Sequence, residues 1–125
     1  MALRRIYRLT VFVPADAAAS LKLALARSGE LTFGNYADVI WTSSPGDEQF
    51  RPLPAARPTL GETDRLTRNA SIQLVFSIPF DASRLERVIA VVVEHHPWEE
   101  PVIYIDECYA NQACGAEIGE QPRSG

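Results

Sequence analysis

A chain of 125 residues, 46% hydrophobic and 22% charged, is long enough to bury one core without disulfide or metal staples and too apolar to be disordered. Its formal net charge of −4 argues against general nucleic-acid binding, which needs a basic face to release phosphate counterions. No stretch approaches the roughly 20 apolar residues of a membrane span, so neither nucleic acid nor membrane is an expected partner.

Arg4, Arg5 and Arg8 precede a short apolar run that Pro14 ends, which reads as a strand and not as a signal peptide. Cys108 and Cys114 are too few and too widely spaced for a disulfide framework or a zinc motif. They read as reduced thiols of a cytoplasmic protein, which leaves the sequon Asn69-Ala70-Ser71 without consequence.

Residues 6–13 alternate as a strand, with Tyr7, Leu9, Val11 and Val13 on one face and Ile6, Arg8, Thr10 and Phe12 on the other. Asp16 is the expected cap of a helix whose stripe is Ala17, Leu21, Ala24 and Leu25, and Gly29 ends it. Residues 31–43 read as a second strand in which Gly34-Asn35 suggests a bulge. The segment 44–68, with prolines at 45, 52, 54 and 58, follows no period and reads as a long functional loop.

A third strand is expected from about Ala70 to Ile78, with Ile72, Leu74, Phe76 and Ile78 facing the core. Asp81 or Ser83 caps a second helix with the stripe Leu85, Val88, Ile89, Val92 and Val93, and Pro97 stops it. Val102–Ile105 make a last strand, and from Ala110 the chain reads as a loose tail. The order β-α-β-β-α-β predicts an α+β, ferredoxin-like domain over residues 1–109 followed by a tail over 110–125. Both helices would lie on one face of a four-stranded antiparallel sheet. The open face, with Ile6, Phe12 and Val75 among polar neighbours, invites self-association.

The run His95-His96-Pro97-Trp98-Glu99-Glu100-Pro101 concentrates imidazoles and carboxylates between a helix end and a strand start. Such groups suit a divalent metal ion, with His96 and Glu99 or Glu100 as first choices and His95 as the next. The same run also suits a structural role, with a histidine at a helix C-terminus and prolines fixing a turn. Arg51, Arg57, Arg65 and Arg68 could take an anion, but Asp47, Glu48, Glu62 and Asp64 balance them within the same segment. No nucleophile motif or phosphate cradle is present, so an enzyme is not expected.

Phe12-Val13-Pro14, Gly34-Asn35-Tyr36, Phe50-Arg51-Pro52-Leu53, Arg57-Pro58-Thr59-Leu60-Gly61 and His96-Pro97-Trp98-Glu99-Glu100-Pro101 occur in order on these elements. Together, over residues 6–107, they resemble the CutA-like domain inserted in the YqfO/YbgI dinuclear-metal proteins of the NIF-three-like family. The last run is also similar to that of CutA, the divalent-ion-tolerance protein. The resemblance implies a fold shared with CutA and PII signalling proteins, a homotrimer, and a functional loop at 44–68. It makes Asn35, Tyr36, Phe50, Arg51, Arg57 and Trp98 candidates for contact with a small effector or protein partner. The family's metal ligands lie in flanking halves that this sequence does not contain, so hydrolase activity is not implied. Gly29-Glu30-Leu31 stands where the family has Gly-Ala-Gly, and Thr59 and Trp98 stand where it has tyrosines. The expected function is a cytoplasmic, trimeric binding or regulatory domain connected with divalent ions. The alternative is an interaction module that docks a partner through its loop, and a role for His96, Glu99 and Glu100 as acid and base is the least supported.

Overall fold

The computed structural model describes residues 2–112. Strand β1 (Ala2–Pro14) leads through a 3-10 turn (Ala15–Ala17) into helix α1 (Ala18–Ser28). A small hairpin follows, β2 (Thr32–Phe33) and β3 (Tyr36–Ala37), then β4 (Trp41–Thr42) and β5 (Gly46–Phe50). Strand β6 (Thr67–Pro79), helix α2 (Ala82–His95) and strand β7 (Val102–Gln112) complete the chain.

The main sheet is antiparallel, with β1 in the middle between β6 and β7. Strands β4 and β5 pair with β6 in succession, so together they fill one edge position. This is the strand arrangement of the ferredoxin-like α+β fold expected from the sequence. Alternation sends Leu9, Val11 and Val13 of β1 and Leu74, Phe76 and Ile78 of β6 to the helix side, where they pack with Leu21, Leu25, Val88 and Val92. Most of these side chains are fully buried, so truncating one to alanine would cost about 2–5 kcal/mol.

Each helix ends for a local reason. Gly29 adopts a left-handed conformation (φ 71°) and its N–H donates to the Ala26 carbonyl, closing α1. Asp81 caps α2, its carboxylate accepting from the N–H groups of Ser83 (2.9 Å) and Arg84 (3.3 Å). Asp16 does not cap α1: it falls inside the 3-10 turn, and Ala17 takes the cap position without a side-chain bond.

Several expectations need correction. Gly34-Asn35 forms the turn of the β2–β3 hairpin, in a separate two-stranded sheet, and is not a bulge in a sheet strand. The edge strand begins only at Trp41, and residues 46–50, expected in the loop, pair with β6 as β5. Strand β7 runs to Gln112 opposite Ala2, so residues 110–112 extend the sheet, and the rest of the expected tail lies outside the described residues. In α2 the buried stripe is rotated. Arg84, Val88 and Val92 are buried, whereas Val93 is 53% exposed.

Arg84 is tolerated in the core because Glu30 meets it. Its Nη1 donates to the Glu30 carbonyl at 3.0 Å and its Nε lies 3.4 Å from the Glu30 carboxylate, which Arg87 Nε also reaches at 2.7 Å. This ion group ties the end of α1 to α2. On the opposite face, the row Trp41–Val75–Thr10–Tyr104 crosses the sheet, and Trp41 and Tyr104 are 60% and 58% exposed. A half-apolar open face therefore exists, with Phe12 and Val75 partly exposed on it, but Ile6, expected there, is buried at 4% exposure.

Candidate functional site

The segment between β5 and β6, residues 51–66, folds back over one end of the open sheet face. Its shape is set internally. Ala56 N–H donates to the Leu53 carbonyl, Asp64 N–H to the Pro52 carbonyl, and Arg51 Nη1 reaches the Asp64 carboxylate at 2.7 Å. Gly61 adopts φ 90°, and a Cβ there would lie 2.5 Å from the Thr67 hydroxyl, so only glycine fits without rearrangement.

Two bonds fasten this loop to the turn after α2. Thr59 Oγ1 donates to the Pro97 carbonyl at 2.8 Å, and Arg57 N–H donates to Glu99 Oε1 at 2.9 Å. The turn is held in turn by His96, which is 7% exposed. Its Nε2 lies 2.7 Å from the Phe12 carbonyl and its Nδ1 lies 3.1 Å from the Trp98 N–H. A carbonyl can only accept and an N–H can only donate, so the ring is neutral with its proton on Nε2. Burial lowers its pKa below the ordinary histidine value; the Phe12 bond and the charge of Glu48 oppose that shift.

Between loop and turn lies a cleft of about 470 Å³, within the range that holds small molecules. Phe50 and Trp98 form an aromatic corner, their rings 5.7 Å apart and inclined by 53°. Pro52, Leu53, Leu60 and Val102 extend the apolar wall, and Glu48, Glu99 and Glu100 supply carboxylates.

Phe50, Arg51, Trp98, Glu99 and Glu100 are thus brought to one cavity. Arg57 borders it, held by its backbone. Asn35 and Tyr36 are not brought there: they sit on the β2–β3 hairpin, Tyr36 being 74% exposed. His96 does not present a metal-binding nitrogen, because both ring nitrogens already hold the turn. His95 is exposed on the last turn of α2, its Nδ1 donating to the Val91 carbonyl, and one oxygen of Glu99 is committed to Arg57. Among the described residues no group of three or more His, Cys, Asp or Glu side chains is placed to hold a metal ion. These donors do not fit a divalent ion as a set. Cys108 is a free thiol on β7, opposite Ile6, and Cys114 lies outside the described residues. Glu48 and the buried Pro52 also line the cleft; the polar run 46–49 gives no strand pattern that would point Glu48 to a site.

No protein-family model matches the chain. A Staphylococcus aureus protein named GTP cyclohydrolase 1 type 2 homolog is 30% identical over 96 residues, which are 77% of this chain and 25% of that protein. A Bacillus cereus protein related to NIF3 superposes with a TM-score of 0.68 and 27% identity, over 90% of this chain and 28% of its own. The chain is similar to one segment of NIF3-related proteins and has a CutA-like fold. It spans about a quarter of the length of the curated relatives it matches. CutA1 from Oryza sativa shares the fold of this CutA-like domain over nearly its whole length, with a TM-score of 0.63 and 12% identity, covering 87% and 84% of the two chains. Among the described residues of the domain, no helix is long and apolar enough to cross a membrane.

Proposed function

We propose that this CutA-like domain is a regulatory binding domain and not an enzyme, and that it takes a small effector in the cleft between residues 51–66 and the His96–Pro101 turn. The observation that carries the reading is the pinned loop. Thr59 and Arg57 bind the turn by hydrogen bonds and leave a lined apolar cavity beneath, where a disordered or collapsed loop would leave none. No nucleophile is placed against a base among the cleft residues, which favours binding over catalysis.

Self-assembly is part of the proposal. The exposed aromatic row of Trp41 and Tyr104 on the open sheet face would be covered by further copies of the chain, as a homotrimer of the CutA type. A cytoplasmic location accords with the free thiol of Cys108. Several solved proteins of this fold are named for divalent cation tolerance. We carry that role over as a regulatory one, in which the domain responds to ion status through an effector, because the donors among the described residues do not gather into a metal site. A thermal-shift screen of small metabolites against the purified chain tests the proposal. Stabilising compounds should lose their effect in Trp98→Ala, and hits that stabilise the variant equally would place binding elsewhere.

A further inference from the structure

The chemistry of the cleft narrows its ligand, and this step rests on the cleft being the binding site. Three carboxylates line it, Glu48, Glu99 and Glu100, against the single guanidinium of Arg51. Arg51 is already matched by Asp64 at 2.7 Å, and Arg57 contributes only a backbone N–H, which Glu99 accepts. The field inside the cleft is therefore negative and disfavours phosphates and carboxylates.

Glu48 adds an independent observation. Its Oε1 is shielded from solvent and has no hydrogen-bond partner. A carboxylate oxygen removed from water without a donor is costly, and the half-buried Glu48 side chain relieves that cost by turning toward the cleft when a ligand brings a donor there. The Nε2 proton of His96 cannot serve, because the Phe12 carbonyl holds it. Beside Glu48, Phe50 and Trp98 present ring surfaces at an angle, so a flat group can rest on one ring while its edge meets the other.

We infer that the cleft takes a planar group bearing at least two N–H donors, such as a guanidinium or the amino edge of a purine, with Glu48 accepting its protons and Trp98 and Phe50 packing on its faces. A guanidinium pairs with a carboxylate in a two-bond fork and also packs on aromatic faces, and a purine amino edge offers the same pair of donors on a ring. A triphosphate attached to the same base would bring negative charge against Glu99 and Glu100. The nucleoside therefore binds more tightly than its triphosphate.

The test uses Trp98 fluorescence in the full chain carrying Trp41→Phe, which leaves Trp98 as the single reporter. The titrants are agmatine, guanosine, GTP and benzoate. The expected result is saturable change with agmatine or guanosine, weakened at least tenfold by Glu48→Gln, and no binding of GTP or benzoate at the same concentrations. Agmatine alone would assign the guanidinium, and guanosine alone the purine edge. A thermal melt of Glu48→Gln within a few degrees of the parent shows that lost binding is not unfolding, since Glu48 is only half-buried and its replacement keeps the side-chain shape. GTP or benzoate binding as well as guanosine, or binding that ignores Glu48→Gln, would overturn the ligand class while leaving the cleft as a site. No change in Trp98 with any titrant, together with no Trp98-dependent hit in the thermal-shift screen, would overturn both.

Discussion

Replacing His96 by alanine should destabilise the domain rather than remove a bound metal. The imidazole is 7% exposed and makes two hydrogen bonds, to the Phe12 carbonyl at 2.7 Å and from the Trp98 N–H at 3.1 Å. Alanine leaves the carbonyl at the end of β1 without its donor, which costs about 1–3 kcal/mol if water does not replace it. The Trp98 N–H is only partly buried and regains a water bond, so its loss adds little. The vacated ring volume beside Trp98, whose centroid lies 5.5 Å away, adds on the order of 1 kcal/mol. The total is about 2–4 kcal/mol, a drop of roughly 8–20 °C in melting temperature for a domain of this size. Urea unfolding followed by far-UV circular dichroism at pH 7.5 measures it directly. A His96→Ala midpoint that corresponds to less than about 0.5 kcal/mol would refute the reasoning. So would bound divalent metal in the wild type that the variant loses while keeping its stability.

Other consequences follow from the same geometry. Burial holds the folded-state pKa of His96 below its unfolded value of roughly 6.5, so the unfolded chain binds the proton more readily between the two. Stability is therefore full above pH 6.5, falls by at most about 1.4 kcal/mol per unit as the pH drops below it, and stops falling from this cause below the folded pKa; His96→Gln should flatten that segment of the urea midpoint against pH. Glu30→Ala strands the buried guanidinium of Arg84, which keeps only the Glu30 carbonyl, and should cost about 2–4 kcal/mol in the same assay. Gly61→Ala meets Thr67 at an unfavourable φ and should cost about 1–3 kcal/mol, with faster hydrogen exchange confined to residues 51–66 and weaker cleft binding.

Periodicity made the layers legible. The inward faces of β1 and β6 were readable because every second residue is aliphatic, and Gly29 marked the end of α1 because its position needs a left-handed backbone. The edge of the sheet was not readable. β4 and β5 are short and carry Gly46-Asp47-Glu48-Gln49, a polar run whose strand conformation is imposed by pairing with β6. That is why Glu48 escaped notice as a site residue. Arg84 was hidden for a different reason. It lies four residues before Val88 on the buried stripe, but a charge belongs there only when a partner is supplied, and Glu30 is 54 residues away. The His96-Pro97-Trp98-Glu99-Glu100 run was conspicuous in sequence, yet spacing could not separate ligand from scaffold. The fold adds what spacing lacks: Nε2 of His96 lies 2.7 Å from the Phe12 carbonyl, a contact across 84 residues that gives the ring a scaffold role.

The proposal of an assembling regulatory domain with an occupied cleft is tested most directly by native mass spectrometry of the untagged chain, side by side with Trp98→Ala. The account predicts a homo-oligomer, carrying a small-molecule mass that survives gentle ionisation in the parent and is absent from the variant. A monomer of unaltered mass in both would contradict it.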